Sequence, residues 1–134
     1  MTDVRWIQRL DNLNRAYKHL HELSLRENLD WVESIALIKL FEVVFELSWK
    51  TLKDYLYSEG IAVKSPRETI KQAFQLDLIE DGDCWLDALE KRNTTTHRYD
   101  EAFSKMLTDV IQSRYTAIFT QLQLDLNQRA RHSE

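Results

Sequence analysis

Apolar residues recur along most of this chain at spacings of three and four, the period of a helix that buries one side. Trp6, Leu10, Leu13, Tyr17 and Leu20 follow one another at steps of 4, 3, 4 and 3. This predicts a first helix over about residues 3–26, with Arg, Lys, Asp and His on its other face. Asp30 is a natural N-cap for a second helix, and Glu33 completes a capping box. That helix runs to about Ser58, where Gly60 can end it. Ile38, Phe41, Phe45, Trp49, Leu52 and Leu56 form its core stripe, and Leu37, Leu40, Val44 and Leu47 widen it to roughly half the circumference. A helix apolar over that width needs more than one partner. Either it is central in a bundle, or part of it faces another subunit.

"SPRE" opens a third helix, with Ser65 as cap, Pro66 in the first helical position and Glu68 closing the box. Ile70, Ala73 and Phe74 are its apolar side, and it ends near 76–79. "EDGD" at 80–83 reads as a turn, and Asp83 as the cap of a fourth helix carrying Trp85, Leu86 and Leu89. A last helix begins near Tyr99 or Asp100. Phe103, Met106, Leu107, Val110, Ile111, Tyr115, Ile118 and Leu122 keep it periodic for over twenty residues. The polar tail 127–134 is expected to fray. "GIAVK" at 60–64 is too short for a convincing strand. The pattern predicts one all-α domain over 1–134, an antiparallel bundle of four to five helices.

Composition sharpens this picture. Two glycines and one proline in 134 residues argue against a turn-rich β fold. The net charge of −4 means that any nucleic-acid contact must come from a local basic patch. The single cysteine, Cys84, cannot form an internal disulfide and fits a reducing cytoplasm. "MTDVRWIQRL" carries charge where a signal peptide needs an apolar run, and no apolar stretch suffices for a bilayer. A cytoplasmic protein without membrane contact is expected.

"RNTTTHRY", 92–99, breaks the helical pattern. Three consecutive threonines are mediocre helix formers, and nothing apolar lies between Asn93 and Arg98. On one ideal helix Arg92 and His97 would point about 140° apart. Either the helix breaks within the threonines, or the two groups approach a ligand from separate directions. His97 can move protons near neutral pH. Arg92 offers a planar fork for phosphate, Asn93 can orient either the ligand or the histidine, and Arg98 adds positive potential. The set has no carboxylate pair, glycine-rich phosphate loop or metal-ligand spacing. It suits metal-independent acid–base cleavage of a phosphodiester, and a ribose 2′-OH as internal nucleophile favours RNA. An Arg-x4-His spacing is common by chance, and the competing reading is a solvated helix junction.

The segment resembles the Arg-x(4–6)-His signature of the HEPN superfamily, with Arg92, His97 and Tyr99 matching the extended form Arg-x4-His-x-Tyr. "LFEVVFELSWKTLKDYL" (40–56), "SPRETIKQAF" (65–74) and "WLDALEKRN" (85–93) are similar to its HepT-type toxins, also described as nucleotidyltransferase substrate-binding subunits. The resemblance implies a helical homodimer whose motifs meet in a shared cleft. It implies a metal-independent endoribonuclease without cofactor, with Arg92, Asn93 and His97 catalytic. It also implies a toxin–antitoxin pair, in which a small nucleotidyltransferase partner transfers AMP to Tyr99. The competing role for Tyr99 is a core residue opening the last helix.

A second reading is a non-catalytic nucleotide-binding subunit of a two-component nucleotidyltransferase. Glu42, Glu46, Trp49 and Lys50 would then line a ligand groove; against it, Glu46 and Lys50 form an ordinary i,i+4 surface pair. A third is an interaction scaffold with a structural motif. His19 and His21, two apart, point to different sides of a helix and make a poor metal site.

Overall fold

A computed structural model of the chain describes residues 4–98 and 100–132. Among the described residues five helical rods form the bundle: α1 (Arg5–Ser24), α2 (Trp31–Ser58), α3 (Pro66–Gln75), α4 (Gly82–Thr95), and a last rod made of α5 (Glu101–Val110), a π turn (Ile111–Tyr115) and α6 (Thr116–His132). No strand occurs among the described residues, and none of their helices is long and apolar enough to cross a membrane.

Helix α2 is the centre. It packs against α1, α3, α4, α5 and α6, which explains its wide apolar arc without a second subunit. Leu37, Phe41, Val44, Phe45, Leu52 and Leu56 are fully buried on it, whereas Ile38, Leu40 and Leu47 lie at the edges. Phe41 stacks on Tyr115 at 5.4 Å between ring centroids, and Trp85 meets Phe119 edge-on at 5.4 Å. Aromatic contacts thus join α2 and α4 to the last rod.

The helix ends follow local chemistry. Asp30 accepts from the Glu33 amide at 2.8 Å while Glu33 accepts from the Asp30 amide at 3.0 Å, the reciprocal box expected. Gly60, at φ +83, closes α2: its own N–H and that of Ile61 reach back to the carbonyls of Tyr57 and Leu56. Ser65 caps α3, but Glu68 accepts from the Lys64 amide rather than from Ser65.

Three further expectations need correction. Asp81, not Asp83, caps α4, accepting from the Cys84 amide at 3.1 Å. The helix starts two residues earlier than the sequence suggests because Gly82 can enter it. A β-carbon there would lie 3.0 Å from the Phe74 ring, so glycine lets α4 begin against α3. Met106 is exposed (41%), not core. The buried row is Phe103, Leu107, Ile111 and Tyr115, at steps of four. Each such step overshoots a 3.6-residue turn by about 40°. The wider π turn takes up that drift and keeps the row on α2 and α4. Finally, residues 127–132, expected to fray, continue α6. Asn127 and Asn14 exchange amide hydrogen bonds at 2.9 Å, Leu126 is fully buried, and Arg129 donates to the Tyr55 hydroxyl at 3.1 Å.

Candidate functional site at the end of helix α4

The threonine run does end the helix. Helix α4 stops at Thr95, and the next helix, α5, starts at Glu101. A helix end leaves its last carbonyls without amide partners; here hydroxyls reach those of Arg92 and Asn93, while the amides of His97 and Arg98 bond the Thr94 carbonyl. Thr94 donates to the Glu90 carbonyl at 2.9 Å, Thr95 to Arg92 at 2.7 Å, and Thr96 to Asn93 at 3.1 Å. Thr95 is buried beneath this turn. The three threonines finish the helix with their own side chains, and the carbonyls of Arg92 and Asn93 are thereby tied down.

Arg92 remains on α4, half-buried. Its Nη2 is hydrogen-bonded to the Glu46 carboxylate of α2, its Nη1 donates to Asn93 Oδ1 at 3.0 Å, and its guanidinium lies 5.9 Å from the centre of the Phe45 ring. Lys50 pairs with the other oxygen of Glu46 at 3.3 Å. Burial alone would raise the Glu46 carboxyl, but the hydrogen bond and charge of Arg92, with help from Lys50, hold it below its ordinary 4.5. Arg92 is therefore held in one place by a carboxylate and an amide.

His97 lies beyond the helix end, exposed, with its backbone N–H on the Thr94 carbonyl at 2.9 Å. Arg98 is bound to the residues that follow it. It makes a two-pronged bond to Asp100 at 3.1 and 3.2 Å, and covers the Phe103 ring at 4.7 Å. Asp100 in turn caps α5 through the Phe103 amide. Arg98 is thus fixed to the start of the last rod, an anchor where the sequence suggests only added positive potential. Tyr99 lies outside the described residues. So the structure places Arg92 and Asn93 together and sets His97 a turn beyond them.

The four residues expected to line a ligand groove have different surroundings. Glu42 lines a cleft of about 240 Å³ together with Ile38, Lys39, Thr95 and Arg98. Glu46 and Lys50 form the ion-pair network around Arg92. Trp49 is buried (8% exposed), with the Lys53 ammonium 5.8 Å from its ring centre. The i,i+4 pairing of Glu46 and Lys50 is readable in the sequence; the bond from Glu46 to Arg92 is not, since it spans 46 positions.

A second polar cluster supports α4 from behind. Asp87 accepts a hydrogen bond from the Tyr115 hydroxyl at the end of the π turn, and it pairs with Lys91 at 3.1 Å and Arg114 at 3.7 Å. The Tyr115 bond is the main reason that the Asp87 carboxyl sits below its ordinary value; burial and the adjacent Asp87 push the Tyr115 hydroxyl far up. Cys84 is buried, which raises its thiol. Among the described residues no group of His, Cys, Asp and Glu is gathered to hold a metal ion.

The family described as nucleotidyltransferase substrate binding protein like matches residues 8–128 of this chain. The chain belongs to this family. It is 32% identical over 69 residues to a probable ribonuclease HepT of Haemophilus influenzae, covering 48% of this chain and 47% of that protein. The chain thus spans about half the length of the curated relative it matches. A crystal structure from Thermus thermophilus superposes with a TM-score of 0.76 at 30% identity, covering 82% of this chain and 94% of that one. The Shewanella oneidensis HEPN toxin, solved tri-AMPylated and in complex with its MNT antitoxin, superposes with a TM-score of 0.73 over 95% of this chain and 98% of its own. At 16% identity that likeness establishes the HEPN fold.

The Glu46 pairing predicts an acid-sensitive contribution to stability. Folding depresses this carboxyl, so its contribution is complete above the unfolded value and is lost as pH falls through the folded one. Asp87 adds in the same direction. Urea denaturation from pH 6 down through the carboxylate range is expected to show stability falling with pH, with a shallower fall in Glu46→Gln. Equal slopes would mean that the carboxylate gains nothing from Arg92.

Proposed function

We propose that this protein is a HEPN-type toxin that cleaves RNA without a metal ion, and that a small nucleotidyltransferase silences it by adding AMP to Tyr99. Two copies bring their α4 ends together, so that Arg92 and His97 of both line one crevice. One His97 imidazole takes the proton of a ribose 2′-OH. The 2′-oxygen attacks phosphorus, the bond to the 5′-oxygen breaks, and a protonated imidazole supplies that oxygen with a proton. The products are a 2′,3′-cyclic phosphate and a 5′-hydroxyl. Arg92 faces the phosphate and stabilises its developing charge, and Asn93 keeps the guanidinium oriented. Transfer of adenylate from a nucleoside triphosphate to the Tyr99 hydroxyl, with release of pyrophosphate, places bulk and negative charge two residues from His97 and repels an RNA phosphate.

The observation that carries this reading is the division of labour at the end of α4. A braced cation stands on the helix and an exposed imidazole stands just past it, in a chain of this family.

One feature favours the second reading, a nucleotide-binding subunit that does no chemistry: the Arg92 guanidinium is already occupied by Glu46 and Asn93. Two measurements separate them. Purified protein incubated with RNA in chelator should produce cyclic-phosphate ends, and protein co-expressed with its cognate nucleotidyltransferase should carry adenylate on Tyr99 by mass spectrometry. A protein that leaves every RNA intact, yet binds nucleotide in complex with that partner, is the binding subunit.

A further inference from the structure

Two clefts lie along the seam between the start of α2 and α5, and they share the walls Trp31 and Ser104. The smaller, of about 240 Å³, starts at Thr95 and Arg98, two residues before His97 and one after it. The larger, of about 490 Å³, continues past Trp31 to Asn28 and Leu29 in the loop between α1 and α2. Together they make one trough leading away from the end of α4.

Its chemistry is mixed. Trp31, at the junction, is half-exposed (51%), whereas Trp6, Trp49 and Trp85 are buried at 2%, 8% and 0%. Asn28, Ser34 and Gln112 are polar members of the larger cleft. Gln112 spends both amide hydrogens on the carbonyls of Ser24 and Arg26, at 3.1 and 3.0 Å, which leaves its Oε1 as an acceptor. The charges of the trough balance, Lys39, Arg98 and Lys105 against Glu42, Glu101 and Asp109. Charge alone therefore draws no phosphate backbone into it. An exposed aromatic beside neutral donors and acceptors matches instead an unstacked base, which offers a π face and a hydrogen-bonding edge.

The geometry points to this trough as the seat of a single-stranded RNA base beside the cleavage point, with Trp31 as the platform on which it stacks. This rests on the nuclease reading above and adds to it where sequence preference is decided. Trp31 touches no reacting atom in this scheme; it is a specificity residue.

The arrangement of tryptophans gives a direct test, because Trp31 is the one of the four that solvent reaches substantially. In a His97→Ala background, which prevents cleavage, a mixed-sequence single-stranded RNA oligonucleotide should bind and quench tryptophan fluorescence. Trp31→Phe in that background should bind comparably but without the quench, since phenylalanine keeps a stacking face. Trp31→Ala should bind about ten-fold more weakly. With His97 intact, Trp31→Ala should raise KM and alter base preference while kcat persists. Three results would overturn the trough: a quench that survives in Trp31→Phe, unchanged binding and preference in Trp31→Ala, or sedimentation showing that Trp31→Ala breaks a dimer, which makes this face a subunit contact. In the first two cases wild-type cleavage still stands and the nuclease reading with it. A protein that neither binds nor cuts RNA sinks both.

Discussion

His97→Ala is expected to slow RNA cleavage by about 10²–10⁴-fold, the usual contribution of a positioned acid–base group. The fold should be untouched. His97 lies exposed past the end of α4, and its hydrogen bond to Thr94 uses the backbone N–H, which alanine retains. Circular dichroism and the denaturation midpoint should therefore match wild type while cyclic-phosphate production collapses. Arg92→Ala makes a poorer test. Removing Arg92 frees the Glu46 carboxylate and the Asn93 amide, so lost activity would be mixed with a loosened junction between α2 and α4. If His97→Ala cleaves as fast as wild type, the imidazole takes no part and the acid–base scheme fails.

Phe41→Ala is expected to be the most damaging single core change, at about 3–5 kcal/mol. Its ring is fully buried on the central helix. It stacks on Tyr115 at 5.4 Å and meets Phe119 at 6.1 Å and Phe45 at 6.2 Å. Truncation leaves a hole bordered by aromatic rings that are themselves pinned, Tyr115 by its bond to Asp87, so the cavity cannot collapse well. Domains of this size have total stabilities of about 5–15 kcal/mol. Urea titration should show a midpoint lowered by a large fraction, with the slope retained. A loss under about 1 kcal/mol would mean that the π turn is free to shift and fill the space.

Much of this architecture was legible because its causes are local. A helix stripe is set by residues three and four apart, and a cap by residues three apart, so the sequence shows α1, the Asp30 box, the Ser65 cap and the Gly60 terminus. That the helix could break within the threonine run is legible too, from three residues poor at forming helix; it ends at Thr95. The way the break is stabilised, with hydroxyls taking the place of missing amides, required coordinates. Helix α4 starts two residues before the sequence suggests, because Asp81 and Asp83 are equally good caps in isolation. The choice between them depends on Phe74, on another helix, and on the space that Gly82 leaves it.

The remainder was decided by contacts that bring distant positions together. Asn127 reaches Asn14 across 113 positions and keeps the polar end of α6 helical, where composition alone suggests fraying. Gln112 closes the end of α1 from the last rod, and Glu46 braces Arg92 from the central helix. By itself, then, the amino-acid order determined where helices form and which residues could do chemistry, since backbone propensity and side-chain type act over a few positions. Only the tertiary structure decided which of those residues are clamped, which are open, and which clefts lie beside them, because pairing and burial depend on neighbours supplied by other helices.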